Sequence, residues 1–179
     1  MNTPNKLTVL RMLMVPILVI FMLTGWRAAA GKWIVLVIFC LASATDWLDG
    51  YLARKYNLIT DFGKFMDPLA DKLLVCSALL CLMDQGRLPA YIVIIIIARE
   101  FIISGFRLVA SDNGVVIAAS YWGKFKTVSQ MLMIILLILD LGGGFVVLEQ
   151  IFIYLSLVLT IVSLADYLIK NSKVISMQD

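Results

Sequence analysis

Four aspartates at helical spacing are the residues of this sequence best suited to chemistry. Asp46 and Asp49 are three residues apart at the end of one apolar stretch, and Asp67 and Asp71 are four apart at the start of the next. Residues three or four apart share one face of a helix. The spacing therefore predicts two pairs of carboxylates on two neighbouring antiparallel helices, meeting at one end of a bundle.

Such a cluster of carboxylates predicts a binding site for divalent metal ions. Each carboxylate in an apolar helix costs about 2.5–3.5 kcal/mol on insertion scales, and four together also repel one another. Two divalent cations would neutralise about four negative charges and complete the set of ligands. The chain has no histidine, so the usual zinc ligand and general base are missing, and oxygen ligands favour Mg²⁺ or Mn²⁺.

The residues between the aspartates are small or structurally special. Gly50, Ala53 and Gly63 have little or no side chain, so a large ligand can approach the backbone there. Pro68 predicts a kink at the start of the third helix. Asp61, in the preceding loop, is expected to cap that helix rather than to bind metal.

The elements that position these residues are predicted to be transmembrane helices. The chain has 179 residues, of which 62% are hydrophobic, whereas soluble domains are about 45–50% apolar. We predict an all-α, polytopic membrane protein with a single catalytic domain over residues 1–179. About six apolar stretches are long enough to span a bilayer: roughly 8–24, 33–54, 65–83, 88–108, 126–141 and 146–168.

The distribution of lysine and arginine predicts the orientation. Most of these residues fall on one side of the predicted helices, which should be cytoplasmic. With an even number of helices, both termini and the aspartate cluster then lie on the cytoplasmic side. The cytoplasmic set is Lys6, Arg11, Arg54, Lys55, Lys64, Lys72, Arg107, Lys124, Lys126, Lys170 and Lys173, and the opposite set is Arg27, Lys32 and Arg87.

Residues 46–71 follow the pattern D-x2-D-G-x2-A-R-x8-G-x3-D-x3-D without departure. This pattern resembles the signature of the CDP-alcohol phosphotransferase family, whose members have a six-helix membrane domain. The resemblance implies that Asp46, Asp49 and Asp67 hold the metal ions, and that Asp71 completes the site and acts as general base. It also implies a nucleotide site lined by Gly50, Ala53, Arg54 and Gly63, and a homodimer.

Three further stretches resemble a bacterial branch of this family that transfers a phosphatidyl group from CDP-diacylglycerol to sn-glycerol 3-phosphate, with CMP leaving. These stretches begin at Asn5, Ala98 and Trp122. An acceptor with a phosphate near −2 charge would need cations, and Arg107, Lys124 and Lys126 are the candidates. Thr8, Arg11, Arg99 and Glu100 are expected to be supporting polar residues. Arg99 and Glu100 are adjacent, so we expect each to have its own partner.

The sequence is also compatible in part with other functions. Another acceptor, such as inositol phosphate or serine, is not excluded by charge. A membrane prenyltransferase also binds Mg²⁺-diphosphate through aspartates, but with different spacings. A cation transporter would explain acids within the membrane but not their clustering at one face or the Gly and Ala-Arg positions. The mild net charge of +3, with no basic residues interleaved with aromatics, argues against nucleic acid, and the expected partners are the two substrates and membrane lipids.

Overall fold

In a computed structural model of the chain, six α-helices account for nearly all of the described residues, which are 3–25, 29–55, 61–112, 117 and 120–171. Within these ranges there is no β-strand, which confirms the all-α prediction. The helices are α1 Thr3–Thr24, α2 Ala29–Lys55, α3 Asp61–Asp84, α4 Ala90–Asp112, α5 Tyr121–Leu139 and α6 Phe145–Lys170.

The helices divide into two compact units, Met1–Gly86 with α1 to α3 and Arg87–Asp179 with α4 to α6. The prediction of a single catalytic domain is not tested by this division. In the first unit, α1 packs extensively against both α2 and α3, which contact each other much less. In the second unit, α6 packs against both α4 and α5.

Much of the outer surface is apolar, as expected of a membrane protein. Large hydrophobic side chains such as Leu13, Ile94 and Val147 are more than half exposed, and an extended apolar surface of this kind suits contact with a membrane or with another protein. Among the described residues, three helices meet length and composition criteria for a membrane span: Asn5–Thr24, Tyr121–Leu139 and Phe145–Lys170. A shorter apolar helical stretch covers Ala30–Thr45.

The buried stripe of α1 changes character along the helix. Its N-terminal half buries Asn5, Thr8 and Arg11, whereas its C-terminal half buries apolar side chains. The apolar part of the stripe is formed by Val15, Leu18 and Met22. Spacings of three and four residues keep all six positions on one helical face. The polar half of α1 therefore lies inside the first unit and needs polar partners there.

In the second unit, α6 presents a stripe of small hydroxyl residues. Ser156, Thr160 and Ser163 are fully buried, and Ser156 and Ser129 of α5 share a hydrogen bond of 3.0 Å. Small polar residues let membrane helices approach closely and bond across the contact.

The turns follow the sequence signals more closely than the helix ends do. Gly142 and Gly143 adopt φ values of 67° and 56° between α5 and α6, a conformation that glycine tolerates at little cost. The start of α5 was predicted five residues too late. Ser120 caps it by accepting a hydrogen bond of 3.1 Å from the backbone N–H of Gly123, so the helix begins at Tyr121.

Candidate active site

The α2 part of the aspartate pattern lies on continuous helix. Helical backbone extends through residues 46–55, so Asp46, Asp49, Gly50 and Ala53 occupy one helical face by spacing. The side chains of residues 46, 47 and 49–54 lie outside the described part of the structure. The metal-binding and nucleotide-binding roles of these residues, and that of Arg54, therefore remain predictions.

The α3 part of the pattern lies on a single helical face. Gly63 is buried, and Asp67 and Asp71 are half-buried. The three residues are spaced four apart, so they share a face of α3. Asp61 is the first residue of α3 rather than part of a preceding loop. The helix consequently starts earlier than predicted, and Pro68 lies inside it instead of in its first turn.

The first helix contacts this face directly. The hydroxyl of Thr8, which is fully buried, donates a hydrogen bond to Oδ1 of Asp67. Three residues further along α1, Nε of the fully buried Arg11 donates to the carbonyl oxygen of Ala42 in α2, at 3.3 Å. Ala42 lies one helical turn before Asp46. The polar half of α1 thus borders both helices that carry the aspartates.

The donor set fits a hard divalent cation. The four aspartates offer only oxygen ligands, and one oxygen of Asp67 is already held by Thr8. Among the described side chains, no group of three or more histidine, cysteine, aspartate or glutamate residues is close enough to hold a metal. Because Asp46 and Asp49 are outside that set, this result leaves the four-aspartate prediction untested.

The second unit contains a buried polar network. Lys126 of α5, which is 2% exposed, donates to Oε1 of Glu100 in α4. Arg99 binds the same Oε1 through Nη1 at 3.0 Å and donates through Nε to Oγ of Ser163 in α6 at 3.2 Å. Two cations therefore converge on one carboxylate, and the network joins all three helices of this unit.

Arg99 and Glu100 each have a partner of their own, as expected, in Ser163 and Lys126 respectively. They also bind each other, which the sequence did not predict. Lys126, predicted to bind an acceptor phosphate, is buried against Glu100 in this structure. Ser163 was missed, since a single serine in an apolar helix gives no functional signal.

The other two predicted phosphate-binding residues are accessible. Arg107 in α4 and Lys124 in α5 are exposed. Nζ of Lys124 lies 5.4 Å from the centroid of the Tyr121 ring, within the range of a cation–π interaction.

A separate cluster marks the opposite end of the second unit. Arg87 binds Asp140 through Nη1 and Glu149 through Nη2, the latter at 2.9 Å. The start of α4, the end of α5 and the start of α6 are therefore together. Arg107 and Lys124 consequently lie toward the other end of their helices, in agreement with the predicted separation of Arg87 from them.

Comparison with known proteins identifies relatives along nearly the whole chain. The family model described as CDP-alcohol phosphatidyltransferase matches residues 1–162. A Bacillus subtilis protein named CDP-diacylglycerol–glycerol-3-phosphate 3-phosphatidyltransferase is 47% identical over 148 residues, covering 77% of each chain. A Haemophilus influenzae protein of the same name is 39% identical over 174 residues, covering 93% of this chain and 91% of its own. A Mycobacterium tuberculosis protein named probable phosphatidylglycerophosphate synthase is 38% identical over 167 residues, covering 93% of this chain and 79% of its own.

Proposed function

The chain belongs to the CDP-alcohol phosphatidyltransferase family, and from this premise we propose that it transfers the phosphatidyl group of CDP-diacylglycerol to sn-glycerol 3-phosphate. The products are phosphatidylglycerophosphate and CMP. The observation that carries the proposal is the unbroken aspartate pattern on α2 and α3, within a chain 47% identical to a relative named for this reaction.

We assign the nucleotide end of the donor to the first unit. Asp46, Asp49 and Asp67, with Asp71, would hold two Mg²⁺ or Mn²⁺ ions. When bound, these ions supply positive charge that offsets the charge of the diphosphate and of the departing CMP. Gly50, Ala53 and Gly63 leave room beside the backbone for the nucleotide, and Arg54 is the candidate cation for the diphosphate.

The chemical step requires a base, and Asp71 is the candidate. The acceptor hydroxyl oxygen forms a bond to the phosphorus that carries the diacylglycerol, and the bond from that phosphorus to the CMP oxygen breaks. Asp71 accepts the hydroxyl proton. Its place one turn beyond Asp67, on the same face of α3, supports this role because it brings a second carboxylate next to the first.

We assign the acceptor phosphate to basic residues of the second unit. Arg107 and Lys124 are exposed, so a phosphate group can reach both of them. The ammonium of Lys126 is buried against the Glu100 carboxylate. Lys126 can therefore bind phosphate only if it leaves Glu100 or contacts Glu100 and the phosphate together. Arg99 and Glu100 then act behind the phosphate-binding residues as the network that holds Lys126.

We further propose that the protein lies in the cytoplasmic membrane of a bacterial-type cell, as a homodimer, with both termini and the active site facing the cytoplasm. The excess of lysine and arginine at one end of the predicted membrane helices supports this orientation. The membrane lipids are then both its surroundings and the source of its donor substrate.

An acceptor panel with purified protein tests the proposal. CDP-diacylglycerol in mixed micelles is offered with glycerol 3-phosphate, inositol phosphate, serine or no acceptor, and CMP release is measured. We expect release that depends on glycerol 3-phosphate and a phosphorylated lipid product. If serine or inositol phosphate is preferred, phosphatidyl transfer is retained as the reaction but the proposed acceptor is wrong. If no acceptor leads to CMP release, the proposed activity is refuted.

A further inference from the structure

The polar half of α1 is the feature that the aspartate pattern alone does not explain. Asn5, Thr8 and Arg11 are buried on the same face that, further along, buries only apolar residues. Burying polar side chains is unfavourable unless they are hydrogen-bonded. Their burial therefore indicates partners inside the first unit at this end of the helix.

Thr8 has a partner of an unusual kind for a helical threonine. Hydroxyls within helices commonly donate to a carbonyl one turn earlier, as Thr24 does to Ile20 at 2.7 Å and Thr160 to Ser156 at 2.6 Å. Thr8 donates to the carboxylate of Asp67, which is 59 residues away in sequence.

The contact limits the freedom of that carboxylate. The terminal torsion of an aspartate is broad, so the two oxygens of an isolated side chain can exchange orientation readily. A hydrogen bond to Oδ1 fixes one oxygen against α1 and leaves the other for a ligand. Hydrogen bonds of this kind to metal-binding carboxylates typically contribute about 10–100-fold to metal affinity or activity.

We infer that Thr8 is a positioning residue that orients the Asp67 carboxylate for binding a divalent cation, so that α1 forms a third side of the metal site. This inference rests on the proposed function, which assigns Asp67 to the metal. The hydrogen bond from Arg11 to the carbonyl oxygen of Ala42 supports this inference. It attaches the same face of α1 to α2, one helical turn before Asp46.

The test compares Thr8→Ser with Thr8→Ala, which differ by one hydroxyl group and both lack the threonine methyl. Binding of Mn²⁺ alone to the purified protein is measured by the electron paramagnetic resonance signal of free Mn²⁺. We expect Thr8→Ser to bind nearly as tightly as wild type and Thr8→Ala about tenfold or more weakly. Thr24→Val is the matched control on α1, and should leave Mn²⁺ affinity unchanged because its hydroxyl bonds within the helix.

CMP release as a function of Mn²⁺ concentration provides a second readout. Thr8→Ala should need about tenfold more Mn²⁺ for half-maximal rate and recover most of its rate at saturating Mn²⁺. General damage to the fold would lower the maximal rate instead. If the wild-type enzyme is active and the serine and alanine variants bind Mn²⁺ with equal affinity, the role of Thr8 is overturned while the proposed function stands. A wild type that binds Mn²⁺ but releases no CMP would refute the proposed function and leave the role of Thr8 to be decided by the affinities.

Discussion

Lys126 of α5 and Glu100 of α4 form an ion pair in which the lysine is 2% exposed. Arg99 binds the same carboxylate oxygen, so two cations share one carboxylate in the interior of the second unit. A charge buried in this way is stable only while its partner is present. The stability of this unit and the accessibility of Lys126 therefore both depend on Glu100.

Substitution Glu100→Gln should destabilise the protein. It keeps the shape of the side chain but removes the charge that Arg99 and Lys126 bind, and breaking a buried pair typically costs about 3–5 kcal/mol. We expect a clearly lower melting temperature in detergent. Lys170→Ala is the control, because it removes a pair with Asp166 in which the lysine side chain is 63% exposed, and exposed pairs contribute about 0–1 kcal/mol. Equal melting temperatures for the two variants would show that the Glu100 pair contributes little.

Substitutions Arg107→Ala and Lys124→Ala should weaken use of the acceptor. A hydrogen bond to a charged group contributes about 1.5–3 kcal/mol, so each variant should raise the Michaelis constant for glycerol 3-phosphate about tenfold or more, with CDP-diacylglycerol binding nearly unchanged. Both residues are exposed, so the fold should survive. Lys126→Ala should also weaken acceptor use, and in addition lower stability because it leaves Glu100 without this partner. If none of the three substitutions changes the Michaelis constant for glycerol 3-phosphate, the acceptor phosphate binds elsewhere.

Substitution Asp71→Asn should separate binding from chemistry. The amide keeps the shape and one acceptor oxygen but cannot take up a proton at neutral pH. Loss of a general base typically costs about 10²–10⁴-fold, so we expect near-normal CDP-diacylglycerol binding and turnover at least about a hundredfold slower. Alanine at Asp46, Asp49 or Asp67 should instead lower both metal and nucleotide affinity. Binding and CMP release are measured side by side at saturating metal, and near-normal turnover of Asp71→Asn would exclude it as the base.

Removal of divalent cations should abolish activity. With no histidine in the chain and only carboxylates at the proposed site, excess chelator should stop CMP release. Mg²⁺ or Mn²⁺ should restore it, and Ca²⁺ alone should not, because its longer and more irregular coordination suits a different geometry. Undiminished CMP release in chelator would contradict a metal-dependent mechanism.

The helical architecture could be predicted from local features of the chain. Hydrophobic stretches predicted about six membrane-spanning helices because each apolar run must be long enough to cross a bilayer. Six helices exist in the structure, and among the described residues three of them meet the criteria for a span. Helix ends were predicted less accurately, since they depend on single capping residues such as Ser120. The aspartate spacing identified one face of α3, because helical periodicity relates neighbours within a helix.

The contacts between helices were decided only by the tertiary structure. Periodicity places Thr8 and Asp67 on the faces of their own helices, but nothing in it relates two residues 59 positions apart. In the same way, the charges of Glu100 and Lys126 were evident from the sequence, whereas their pairing required α4 and α5 to be packed with α6. Side-chain partners across helices depend on which faces meet and at what register. That is a property of the packed bundle, and it places Lys126, which was predicted to bind the acceptor phosphate, in a buried ion pair.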